Sequence, residues 1–240
     1  MRRNMEHQVS TIEKVAETLI LPLFEGIKKP PNRSLVGLSR SAQTQVKGAI
    51  GSADFDGKSG KSMTLWDEEC KVLLVGMGKS EDLDENNARD AGAKMVASFS
   101  KTHGKNLTVR FTSGWKANQM VAFAEGMMLR DYKFDKYLSK DEDDEDDNRQ
   151  YNVNFQASDR HQERLSKGCD RVSSICVGVH IARDLGNEPA NKLYPMEYAS
   201  RAESFAKDKD NLTVTVLDWD QLHENKMGGL INVGKGSEHK

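Results

Sequence analysis

Three places in the 240-residue sequence hold residue types and spacings that could carry chemistry. Gly76-Met77-Gly78-Lys79 follows the apolar run Lys71 to Val75, and a glycine-rich turn after a strand can aim backbone N–H groups at a phosphate. The spelling lacks the third glycine of a dinucleotide fingerprint and the spacing of a Walker motif, so a tight strand-to-helix turn accounts for it better. Asp141 to Asp147 is an unbroken acidic run that could attract cations, but contiguous carboxylates repel one another and lack the fixed geometry of a tight site. A solvated loop is the expected reading. Gly234-Lys235-Gly236 offers a lysine between two glycines, followed by Glu238 and His239, which read as a fraying terminus.

Other constellations are missing. The six histidines, at 7, 103, 161, 180, 223 and 239, show no H-E-x-x-H spacing, and His180 lies beside an apolar helical stripe, as a structural histidine would. Thr112-Ser113-Gly114 and Val36-Gly37-Leu38-Ser39 do not complete the G-x-S-x-G elbow of a serine nucleophile. Cys70, Cys169 and Cys176 fit neither a disulfide framework nor a zinc knuckle and are expected as buried thiols in a reducing cytoplasm.

Any such site must be held by a core. Thirty-five basic against 37 acidic residues leave a net charge of −2, which provides no global field toward nucleic acid or an anionic membrane. No run reaches the ~18 apolar residues of a membrane span, and no secretory apolar region follows Met1 to His7. The pattern along the chain alternates strand and helix. Val15 to Phe24 reads as a buried strand with Pro22 near its end, Leu35 to Ile50 as a helix, and Met63 to Trp66 and Lys71 to Val75 as strands. A helix from Asp84, a strand from Leu107 to Phe111, a Met-rich helix from Lys116 to Tyr137 and a strand from Tyr151 to Phe155 complete an α/β layer with helices on a largely parallel sheet. Beyond residue 160, Val172, Ile175, Cys176, Val179, Ala182 and Leu185 mark a connecting helix, and Pro195 opens another. Leu212 to Leu217 reads as a strand, Asp218 or Asp220 as the cap of a short helix, and Leu230 to Val233 as a last strand.

The segment Ala182-Arg183-Asp184-Leu185-Gly186-Asn187-Glu188-Pro189-Ala190-Asn191 resembles the A-[RK]-[DQ]-L-x-N-x-P-[AP]-N segment of the M17 family of leucyl aminopeptidases. The likeness continues through Pro195, Val216-Leu217-Asp218 and Met227-Gly228-Gly229-Leu230-Ile231-Asn232-Val233-Gly234-Lys235-Gly236-Ser237, and more loosely covers Lys71 to Lys79 with Leu83-Asp84. The family often has Thr or Ser before the helix-starting proline, where this chain has Tyr194, so a cap worth ~1 kcal/mol is missing.

The resemblance implies a macrodomain-like amino-terminal domain over 1–160 with a mixed sheet flanked by helices, a connecting helix over 161–189, and over 190–240 the incomplete start of an α/β catalytic domain. It further implies a two-metal (Zn or Mn) exopeptidase of the cytoplasm acting on peptides with free amino termini, assembled as a homohexamer. Trp115, Met128 and Trp219 are candidate assembly contacts. The family's metal motifs, G-K-G-x-T-F-D-[ST]-G-G and N-T-D-A-E-G-R-L, do not occur here, so no catalytic, cofactor-binding or metal-binding residue is assigned to this chain. Lys235 is a decoy, because Ser237-Glu238 follows it where the motif needs T-F-D. Two other classes remain open: a module binding ADP-ribose or a nucleotide at Gly76 to Lys79, and an oligomer-assembly module.

Overall fold

The computed structural model describes residues 5–13, 15, 17–52, 54–97, 104–139, 150–207 and 209–238, so the acidic run 141–147, His103 and His239 lie outside the described residues. The chain divides into two units, the first ending at His180 and the second running from Ile181 to Lys240.

The first unit is built on a six-stranded mixed sheet in the order β1-β6-β5-β2-β4-β3. Its strands are β1 (Glu6–Ser10), β2 (Thr18–Leu23), β3 (Ser62–Trp66), β4 (Lys71–Gly76), β5 (Asn106–Arg110) and β6 (Asn152–Gln156). All neighbours are parallel except the antiparallel β3–β4 pair. Central strand β2 is buried along its whole length, which is why it reads as an unbroken apolar run. Pro22 is tolerated there because β5 pairs only with Thr18 to Ile20, leaving the proline a single ladder neighbour, β4.

Helices cover both faces. α1 (Arg40–Gly51) lies on one side, with Ala42, Val46, Ala49 and Ile50 buried in a cluster with Leu19, Leu21, Leu23, Val72 and Leu74. The opposite face buries Ile20, Leu73, Val109, Val153 and Phe155 with residues of α2 (Glu85–Ala97), α3 (Ala117–Arg130) and α4 (Asp159–Asn187). Along α4 the buried positions are Leu165, Cys169, Val172, Cys176 and His180, one stripe at three- and four-residue spacing. This helix starts before the expected stripe, and Ile175, expected inside it, is exposed. α3 ends at Arg130, short of the expected Tyr137.

Helices α2 and α3 meet backbone to backbone through two glycines. A Cβ on Gly92 would lie 2.1 Å from the Phe123 carbonyl oxygen, and one on Gly126 1.9 Å from that of Arg89. Gly126→Ala is therefore expected to push the helices apart and to cost about 1–3 kcal/mol, although the same change in an isolated helix would be favourable. Urea unfolding checks this, and an unchanged or higher midpoint would contradict the close packing.

β1 is not among the strands expected from the pattern, because Glu6-His7-Gln8-Val9-Ser10 has no apolar face. Its neighbours explain it. With Leu107, Val109, Val153 and Phe155 turned to the core, the pleat sends Asn106, Thr108 and Arg110 of β5 and Asn152, Asn154 and Gln156 of β6 to the other side. Glu6, Gln8 and Ser10 continue those rows. Half of this sheet face is thus polar and cross-linked: Asn152 donates to Asn106 at 3.0 Å, Ser10 to Asn154 at 3.1 Å and Arg110 to Gln156 at 2.9 Å.

The second unit holds the end of α4 with α5 (Pro195–Ala206), α6 (Trp219–Glu224) and α7 (Gly228–Gly234). Pro195 occupies the first turn of α5, and the side chain of Tyr194 at the N-cap makes no capping bond. Of the two candidate caps for α6, Asp218 is the one used, in a reciprocal box with Gln221. Two expected strands are corrected. Residues 212–217 form no strand, and Leu230 to Val233 lies inside helix α7. A strand needs a neighbour to receive its backbone groups, whereas a helix satisfies its own, and the described residues of this unit provide no strand to pair with. None of α5, α6 and α7 has a buried residue, and Met196, Leu230 and Val233 are 65%, 60% and 88% exposed.

Candidate functional site

The Gly76 to Lys79 turn leaves the carboxyl end of β4 and borders a cleft of about 420 Å³. One wall is the face of α2 carrying Asn87, Asp90, Ala91 and Lys94; the other is the loop with Ser59, Gly60 and Lys61. The loop is pinned from below: the amide and ammonium of Lys58 bond Asp56 and hold its carboxyl down to about 2, with Lys61 adding charge.

A phosphate cradle needs unused amides, and the first three of this turn are spent. Gly76 N–H donates to the Lys61 carbonyl at 2.8 Å, Met77 N–H to Leu23 at 2.9 Å, and Gly78 N–H to Gly57 at 2.9 Å. The glycines have a packing reason as well. A Cβ on Gly76 would lie 2.0 Å from the Lys58 carbonyl oxygen, and Gly78 has φ +72. At the start of α2 the Asp84 carboxylate already accepts the Asn87 N–H at 2.7 Å. The turn is therefore a folding device, and the nucleotide-binding alternative loses the three glycine-turn amides from Gly76 to Gly78.

The remaining candidates resolve individually. Lys235 stands at the carboxyl end of α7 and donates to Asn232 at 3.1 Å. Among the described residues no three His, Cys, Asp or Glu side chains come together to hold a metal ion. The described residues do not fit a two-metal centre. Cys70, Cys169 and Cys176 are buried free thiols; burial pushes Cys169 up to about 12, far from a reactive thiolate. His180 is buried with its ring 5.2 Å from Tyr132. Trp115 packs among Phe24, Phe111 and Phe123, and Met128 is equally buried, so neither presents itself as an assembly contact on this chain. Trp219 is half-buried, against His223 and beneath Gly234.

One buried group carries no sequence signal of its own. Arg110 is fully buried and reaches the carbonyls of Ser34 (2.9 Å), Val36 (2.6 Å) and Glu13 (3.0 Å) besides Gln156. Burial, and then the nearby Arg33, pull its pKa down to about 10, which leaves it charged at neutral pH. It ties the Glu13 segment and the Ser34 to Val36 segment to the sheet.

Comparison with known proteins decides the family. Residues 20–141 match the model of the cytosol aminopeptidase family amino-terminal domain, and residues 180–240 match the catalytic domain of the same family. The chain belongs to the cytosol aminopeptidase family. A probable cytosol aminopeptidase of Rhodopseudomonas palustris (strain TIE-1) is 33% identical over 205 residues, 83% of this chain and 40% of that protein. Among solved structures, a tomato leucine aminopeptidase variant superposes with TM-score 0.78 at 21% identity, covering 100% of this chain and 50% of the other. The bottromycin maturation enzyme in complex with Mn gives 0.67 at 22% identity over 93% of this chain and 43% of the other. The chain thus spans half or less of the length of these relatives. No helix among its described residues is long and apolar enough to cross a membrane.

Proposed function

We propose that this chain is the amino-terminal scaffold of a leucyl aminopeptidase, a two-metal exopeptidase that removes amino-terminal residues from peptides in cytoplasmic protein turnover. The observation that carries this reading is the match to both family domains, in family order, over residues 20–141 and 180–240, with the Ala182 to Asn191 segment at the start of the second. On this reading 1–160 is a macrodomain-like domain with the acidic run as a loop insertion, 161–189 is the connecting helix, and 190–240 begins the catalytic domain. The exposed apolar side chains of α5 and α7 then belong to a core completed by further catalytic-domain residues. Two divalent ions, Zn or Mn, would be held by a lysine and carboxylates this chain does not contain, and the assembly would be a homohexamer.

Two-metal hydrolysis needs several fixed carboxylates converging on one pocket. The purified chain is therefore expected to release no leucine from leucyl substrates with Mn or Zn added. Joined in frame to the carboxy-terminal part of the Rhodopseudomonas relative, it is expected to support metal-dependent release. Turnover by the chain alone that Lys235→Ala abolishes, or a folded chimera without leucyl hydrolysis, would overturn the reading.

A further inference from the structure

The cleft beside the Gly76 to Lys79 turn has a chemistry that the folding role of the glycines leaves unexplained. Its floor is apolar, formed by the buried side chains of Val75, Met77 and Met95. Its rim carries both signs of charge: Lys79 and Lys94 against Glu25, Asp82 and Asp90, with Lys61 beside them already paired to Asp56. No ion pair closes between any of these five described residues, although all border one cleft. Asp90 and Lys94 are four residues apart on α2, the spacing and order that favour a pair on a helix, and they too stay open.

These features select among ligand classes. A polyanion is disfavoured because three carboxylates border the cleft and the amides of residues 76–78 are already bonded. A hydrocarbon would make no use of the rim charges, and a sugar would gain nothing from the apolar floor. A small zwitterion with an apolar side chain meets all three requirements, and the cleft volume lies within the ordinary range for small-molecule sites, roughly 300–1,000 Å³.

We infer that the cleft between α2 and the 58–62 loop binds a free apolar α-amino acid, its ammonium group between Asp82 and Asp90, its carboxylate at Lys79 and Lys94, and its side chain on Val75, Met77 and Met95. This site belongs to the first unit alone and does not rest on the peptidase reading. A free amino acid is nonetheless what an aminopeptidase releases, so the site would report product to the scaffold.

The test is titration of the 240-residue chain with L-leucine, followed by amide chemical shifts and calorimetry. Saturable binding in the millimolar range or tighter is expected, with shifts concentrated at residues 59–62, 76–79 and 87–95. N-acetylleucine, which lacks the ammonium, and leucinamide, which lacks the carboxylate, are each expected to bind at least tenfold more weakly. Asp90→Asn and Lys79→Gln, both on exposed side chains, are expected to weaken leucine at least tenfold while leaving thermal unfolding unchanged. Absence of saturable leucine binding, equal binding of the blocked analogues, or undiminished binding by both variants would each overturn the proposal. ADP-ribose binding at this cleft more tightly than leucine would overturn it in favour of a nucleotide site. Because this readout is binding, its failure is separate from a failure of the chimera to hydrolyse leucyl substrates.

Discussion

Arg110→Met is expected to lower the stability of the first unit by about 3 kcal/mol, since each buried polar group left without its partner costs ~1–3 kcal/mol. The guanidinium holds the backbone carbonyls of Ser34, Val36 and Glu13 and the side chain of Gln156. Methionine fills much of the volume and supplies none of the donors. Ser34 is itself fully buried, so its carbonyl has no route to water in the folded state. Arg110→Lys should recover little, because one ammonium cannot span four acceptors on three segments. At a urea slope of roughly 1–3 kcal/mol per molar, the unfolding midpoint of the methionine variant should drop by about 1 M or more. A loss below about 1 kcal/mol would show that these contacts are replaceable by solvent and that Arg110 does not clasp the sheet.

The second large effect is pH-dependent and opposite in sign. Asp131 caps the carboxyl end of α3, where the helix dipole already disfavours a negative charge. Burial raises its pKa from 3.8 to about 6, against the smaller opposing effects of Lys133 and the Met5 N–H. The folded chain therefore binds this proton more tightly than the unfolded chain. Below about pH 4 both states are protonated and the group is neutral to stability; as pH rises from about 4 to about 6 only the unfolded chain gives up its proton freely, and stability falls. Above that window the folded state bears the whole cost, about two pH units at ~1.4 kcal/mol each. Asp131→Asn removes the charge and retains the shape, so it should stabilise the protein by roughly 2–3 kcal/mol at pH 7.5 and leave it nearly unchanged at pH 4. Thermal melts at the two values decide it. Equal effects at both would assign the gain to packing, and a loss at pH 7.5 would show that the Met5 bond outweighs burial.

Much of the first unit is legible in the order of its residues. Val46, Ala49 and Ile50 of α1 and Ala88 and Met95 of α2 recur at helical spacing, and Lys71 to Val75 is an uninterrupted apolar run, because each buries its pattern against a complete sheet. The family is legible too, since Ala182 to Asn191 is matched by the order and spacing of its letters, which need no folding argument. The same reasoning fails where an element's partner is not of the ordinary kind. Glu6 to Ser10 is a strand because it extends rows of Asn and Gln across β6 and β5, and a polar row looks like a loop until the register is known.

Residues 212–217 and 230–233 have the composition of strands, yet the first makes no ladder and the second lies in a helix, because composition expresses a preference that only a neighbouring strand can fulfil. Periodicity and motif order suffice for the alternation of helix and strand, for the family and for the missing metal motifs. They do not reveal that the amides of Gly76, Met77 and Gly78 are consumed by the Lys61, Leu23 and Gly57 carbonyls, or that Arg110 is a buried clasp; the folded chain alone settles both. Each depends on which distant backbone groups find each other, and hydrogen-bond partners separated by tens of residues leave no local period in a sequence.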